Sequence, residues 1–172
     1  MRYAYYNGAP GILVSGLVWL IAALVCQAAG VKQGVWTLLI GGVLIHPASL
    51  LLAKALGRPA RTGKANALNQ LAMASTLWLI IGCAMAFGLY LLGPVLFFPA
   101  MMATIGSRYL IFASIYGMAI FWIMGGALIV AGNLALFLAI PPVAAAGIGG
   151  LVEVLFAAFV FVKARRFQLP PA

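Results

Sequence analysis

Along the chain, long unbroken apolar runs alternate with short polar or glycine-rich breaks. A continuous apolar run of roughly 20 residues matches a membrane-crossing helix, whereas strands of a transmembrane β-barrel would alternate in segments of about 10. The pattern therefore predicts an all-α integral membrane fold. It is a six-transmembrane-helix bundle forming a single transmembrane domain over residues 1–172, with spans at about 9–29, 34–55, 68–91, 93–115, 117–139 and 143–164. The breaks fall at Gly30 and Gly34, at GRPARTGKAN, at Gly93-Pro94, at Gly117 and at Pro141-Pro142, residue types that interrupt regular structure.

Composition supports this reading. The chain is 66% hydrophobic and 6% charged, with a mean hydropathy of +1.19, against about 25% charged residues in a soluble domain. The N-terminal stretch resembles a signal peptide, but its apolar run has the length of a span rather than of a 7–15-residue signal core. Val25 before Cys26 also does not fit a lipoprotein cleavage site, which needs a small residue there. Cys26 and Cys83 lie in apolar segments without metal-ligand spacing and read as buried free thiols.

Net charge is +9 with a single acidic residue. On a soluble protein this would suggest nucleic acid. Here the charges sit at span ends, so no nucleic-acid partner is expected and the partner is the bilayer, with anionic lipids at the cytoplasmic face. Arg2, Lys54, Arg58, Arg61, Lys64, Lys163, Arg165 and Arg166 fall on one side and Lys32 alone on the other. By the positive-inside rule both termini are cytoplasmic, in an inner (plasma) membrane.

Three tryptophans, Trp19, Trp78 and Trp122, recur in the first helix of each successive pair. VLIHPAS is echoed by VLFFPAM, and GGVL by GGLV. These echoes suggest three helical-hairpin repeats of like orientation.

Ionisable groups inside a membrane cost about 2.5–3.5 kcal/mol on insertion scales and so mark candidate sites. His46, Glu153 and Arg108 qualify, at about 18, 15 and 22 Å from the outer ends of their spans at 1.5 Å per residue. Small residues one turn away, Gly149, Gly150 and Ala157 for Glu153, and Gly42, Ser49 and Ala53 for His46, point both side chains toward protein. Arg108 has Thr104 one turn away, and its face is less defined. The uncharged run 109–140 is longer than one span, which keeps Arg108 inside span four rather than at its end. The substrate- or ion-binding candidates are thus Arg108, Glu153 and His46, with Thr104, Ser49 and Tyr109 beside them. Glu153 is the only carboxylate side chain available to Arg108. Either the two close the bundle as a clamp, or Arg108 meets something outside the chain. Pro47 and Pro99 predict kinks, and Asn133 is expected to cap or bridge.

One acid, one histidine and no cysteine cluster argue against paired-carboxylate hydrolysis, di-metal and zinc sites. No metal and no cofactor are expected.

The segment FFPAMMATIGSRYLIFASIYGMAIFW at 97–122, with HPASLLLAKALGR at 46–58, resembles a family of small bacterial multi-pass membrane proteins, domain-of-unknown-function family 7010. The matching residues are Phe98, Pro99, Ala100, Arg108, Tyr109, Tyr116, Gly117 and Met118. His46-Pro47 stands where the pattern has Phe-Pro, so the resemblance carries over no histidine chemistry. It implies a bacterial membrane protein and no activity.

Three functions are compatible with these features. The first is a small transporter or channel using an Arg/Glu/His cluster on an unidentified small molecule or ion. At 18.0 kDa such a carrier implies a homo-oligomer. The second is a membrane-embedded enzyme acting by general acid/base chemistry on a lipid or isoprenoid-like substrate. The third is a structural or accessory subunit without chemistry.

Overall fold

The computed structural model describes residues 6–57 and 67–166, with the side chains of 67, 69, 165 and 166 undescribed. Arg2, Arg58, Arg61 and Lys64, and the side chains of Arg165 and Arg166, therefore lie outside the described residues. Among the described residues six α-helices form: α1 Ala9–Ala29, α2 Val31–Ala55, α3 Ala67–Leu92, α4 Phe97–Tyr116, α5 Ile120–Phe137 and α6 Pro142–Arg166. All six are long and apolar enough to cross a membrane. Short 3-10 turns at Tyr6–Gly8 and Pro94–Leu96 lead into α1 and α4.

The breaks work differently from one another. Gly34 is not a break. It lies inside α2, where an added Cβ would come within 2.8 Å of the Cys26 Cβ and 2.9 Å of the Ala22 carbonyl, so it is the point where α2 crosses α1. Gly30 alone, at φ 106, turns the chain between these helices. Helix α4 ends at Gly117 in the left-handed region, with the Met118 N–H bonded to the Ala113 carbonyl. Helix α5 ends in the same way, but with Ala139 at φ 49 in the left-handed position. There the Ile140 N–H donates to the Ala135 carbonyl and the Ala139 N–H to that of Leu136, the paired bonds of a Schellman cap. These two caps make α5 shorter than the expected span. Pro142 opens α6 at the first helical position, where a missing N–H costs nothing.

The prolines part company too. Pro47 lies well inside α2, and the helix is continuous through it. Pro99 falls in the first turn of α4, where N–H groups have no intrahelical partner, so the kink expected there has no cause.

Helices α1, α4, α5 and α6 form the centre, with the most extensive pairings being α1 with α6, α1 with α2, and α4 with α5. Helix α2 leans on α1 and α3 on α4, and these two are the least buried. They meet through the rings of Trp36 and Phe87, 5.6 Å apart. The core is filled by Trp19, Phe97, Phe98, Phe121, Met102 and Met124. Hydrophobicity does not drive helices together within lipid; close backbone approach does. Gly106 and Gly125 face each other so closely that a Cβ on Gly106 would sit 2.7 Å from the Gly125 carbonyl. The turn before α1 packs its Tyr6 ring 5.4 Å from Phe161 near the end of α6. It also sets Gly8 against Tyr116 at the end of α4. The start of α1 and the ends of α4 and α6 thus share one end of the bundle.

The sequence echoes occupy unlike environments. Trp19 is buried while Trp78 and Trp122 are exposed, and Pro47 and Pro99 differ in helical position as described.

Candidate functional site

Helix α1 brings Ser15 and Gly16 to the centre of the bundle, both buried. Gly16 allows α6 to approach: a Cβ there would lie 2.8 Å from Val154 Cγ2, 3.0 Å from the Val154 backbone nitrogen and 3.1 Å from the Glu153 Cβ. One turn away, Gly149 and Gly150 of α6 receive the Trp19 ring and the Leu20 side chain. This small-residue seam leaves Glu153 fully buried, at 0% exposure.

Glu153 is held from α4. The Tyr109 phenol donates to Glu153 Oε1 at 3.0 Å, and the buried hydroxyl of Ser15 is the other neighbouring polar group. Tyr109 is itself fixed by aromatic packing, its ring 5.7 Å from Phe112 and 6.2 Å from Phe121. Glu153 Oε2 and Trp19 Nε1 are sealed from outside and lack a hydrogen-bond partner among the described residues. A buried polar atom left unpaired costs about 1–3 kcal/mol, which makes this interface a place where the bundle tolerates expense.

Arg108 lies within α4, about 12 Å from its Tyr116 end at 1.5 Å per residue. It does not clamp Glu153: among the described residues no ion pair forms within 4.0 Å. Consecutive helical positions point about 100° apart at 3.6 residues per turn. Tyr109 therefore faces α6 while Arg108 faces α3. There its Nε donates to Ser75 Oγ at 3.4 Å, and its Cζ lies 5.1 Å from the centroid of the Phe112 ring. Next to it, Trp78 Nε1 of α3 donates to Ser107 Oγ at 2.9 Å.

His46 does not join them. It is exposed on α2, and its carbonyl accepts from Ser49 Oγ at 2.8 Å. The face of α2 that packs on α1 carries Gly34 and Gly41, the latter against Val18, while Gly42 has open space beside it. Of the other small residues near His46, Ser49 lies against Gly11 of α1 and Ala53 is buried, so packing at this end of α2 leaves the histidine itself outside the seam. Thr104 Oγ1 donates back to the Ala100 carbonyl at 2.9 Å while its methyl fills the space opposite Gly82. Asn133 neither caps nor bridges; its Nδ2 donates to the Ile129 carbonyl of its own helix at 2.8 Å. Two shallow apolar grooves, one along Val14, Val18, Gly41 and Leu44 and the other along Pro99, Ala103, Gly132 and Leu136, contain none of Arg108, Glu153 or His46. Among the described residues no group of three His, Cys, Asp or Glu gathers to hold a metal.

The pattern that defines the family of unknown function DUF7010 matches residues 1–163, nearly the whole chain. The chain belongs to this family. Neither the curated proteins nor the solved structures contain a match to it. In this DUF7010 member, the Arg108-Tyr109 pair on which the resemblance rests is split between two interfaces: Arg108 serves α3 and Tyr109 serves α6. Ser15 and Gly16 were not among the sequence candidates. The signal that finds them is the stripe Ser15, Trp19, Ala22 and Cys26, spaced to fall on one face of α1.

Proposed function

We propose that this protein is a small proton-coupled membrane carrier in which Glu153 is the proton-binding group. The observation that carries the reading is that the only carboxylate side chain of the chain is fully buried where α1, α4 and α6 meet, with one oxygen bound by Tyr109 and the other without a hydrogen-bond partner among the described residues. Ionisable groups at such depth in a bundle commonly serve proton or ion pathways. A carboxyl group with one oxygen fixed and one free can take up and release a proton without losing its place. Because Oε2 is sealed, the arrangement corresponds to an occluded state, and exchange requires α6 to part from α1 or α4. In this reading His46, exposed on α2, stands outside the exchange site.

The charge distribution supports an orientation with both termini cytoplasmic and anionic lipids at that face. The family resemblance supports a bacterial plasma membrane. The small mass supports a homo-oligomer as the transporting unit.

One observation favours a second reading, that of an accessory subunit without chemistry: the polar contacts at the centre are sealed and lie in neither groove. Infrared spectroscopy separates the two. On titration in lipid, a protonated-carboxyl band assignable to Glu153 changes with pH and is missing in Glu153→Gln. A spectrum insensitive to pH, identical in the two proteins, removes the carrier reading.

A further inference from the structure

Arg108 is a cation inside a membrane-spanning helix whose hydrogen-bonding capacity is mostly unused. A guanidinium offers five N–H donors in a planar fork. Among the described residues Nε alone is engaged, to Ser75 Oγ at 3.4 Å, the long end of the hydrogen-bond range. Ser75 is fully buried and anchored by its own bond to the Ala72 carbonyl at 3.0 Å. The Phe112 ring, 5.1 Å from Cζ, supports the guanidinium from a second direction. Among the described residues the terminal Nη groups have no acceptor and no carboxylate lies within 4.0 Å. Nor are they sealed: the sealed and unpaired side-chain atoms are those of Trp19 and Glu153, and Arg108 is half-buried. The side chain is thus held at its stem while its fork remains reachable beside α3, the helix that packs mainly on α4.

We propose that Arg108, positioned by Ser75 and Phe112, binds one anionic oxygen group, a phosphate or a carboxylate, through its Nη edge. Planar, bidentate recognition of such groups is the chemistry that Arg supplies and Lys does not. The site lies about 12 Å from the Tyr116 end of α4 at 1.5 Å per residue, a depth that a long Arg side chain and a lipid headgroup can bridge together. The group therefore comes either from a phospholipid of the adjacent leaflet or from a soluble anion. This site does not depend on proton exchange at Glu153, which faces a different helix.

The test compares the full chain with Arg108→Gln and Arg108→Lys, with helicity checked by circular dichroism. In nanodiscs of phosphatidylcholine with phosphatidylglycerol, native mass spectrometry counts retained phosphatidylglycerol. In nanodiscs of phosphatidylcholine alone, calorimetry measures inorganic phosphate binding. Loss of one tightly retained phosphatidylglycerol in Arg108→Gln identifies a lipid site. A tenfold or greater loss of phosphate affinity in that variant identifies a soluble-anion site. Equal lipid retention and equal phosphate binding in wild type and Arg108→Gln overturn the proposal. Should Arg108→Gln fail to fold, Arg108→Lys decides: the loss of the planar fork lowers binding several-fold, and unchanged binding overturns it.

Discussion

Tyr109 of α4 donates its phenolic hydrogen to Glu153 of α6 across 3.0 Å, inside a seam where neither residue is open to the surroundings. The neighbouring Arg108, the obvious electrostatic partner for the only carboxylate side chain, is turned away toward α3.

Tyr109→Phe keeps the ring that packs against Phe112 and Phe121 and removes only the donor. Both Glu153 oxygens then lack a partner from α4, at a cost of about 1–3 kcal/mol. Unfolding in mixed detergent micelles should show that loss with helicity unchanged at the start. Wild-type stability would mean that the hydrogen bond contributes nothing.

The α1–α6 seam depends on Gly16. Gly16→Ala places a Cβ 3.0 Å from the Val154 backbone nitrogen, where no rotamer change relieves it, and overpacking of this kind costs about 1–3 kcal/mol. Gly126→Ala, on the exposed side of α5 with nothing within 4 Å, should be neutral or stabilising by up to about 1 kcal/mol, because Ala is the better helix former. Equal effects at the two positions would show that the seam is not tightly packed.

Ala139 holds a left-handed conformation at φ 49 in the cap that ends α5. Left-handed backbone costs an L-residue about 1–2 kcal/mol that glycine avoids. Ala139→Gly should therefore stabilise the protein by about 1 kcal/mol, less the extra freedom glycine gives the unfolded chain. A lowered midpoint in thermal unfolding would contradict this cap geometry.

Much of the architecture was legible from hydropathy because the bilayer fixes helix length independently of tertiary detail. The burial of Glu153 was also legible, since Gly149, Gly150 and Ala157 flank it at helical spacing. The partner of Glu153 was not. Charge alone selects Arg108, but the 100° step between residues 108 and 109 gives the contact to tyrosine instead, and an apolar helix offers little contrast by which to read that rotation. For His46 the same small-residue rule found packed neighbours but not a packed histidine. Ser49 meets Gly11 of α1 and Ala53 is buried, while Gly42 has open space beside it and His46 is exposed. Small residues nearby report that a helix is packed, not which way a given side chain between them points.

Proton movement through Glu153 is the central claim, and it is measured most directly in sealed proteoliposomes. These carry an internal pH-sensitive dye, with a pH step imposed outside and potassium with valinomycin clamping the voltage. Because the carried solute is unidentified, the wild type is read as uncoupled proton slip through the empty carrier, above the leak of protein-free vesicles. The predicted result is a wild-type leak at least tenfold above that of Glu153→Gln at equal protein incorporation. Equal rates in wild type and Glu153→Gln, with both proteins folded, would contradict it.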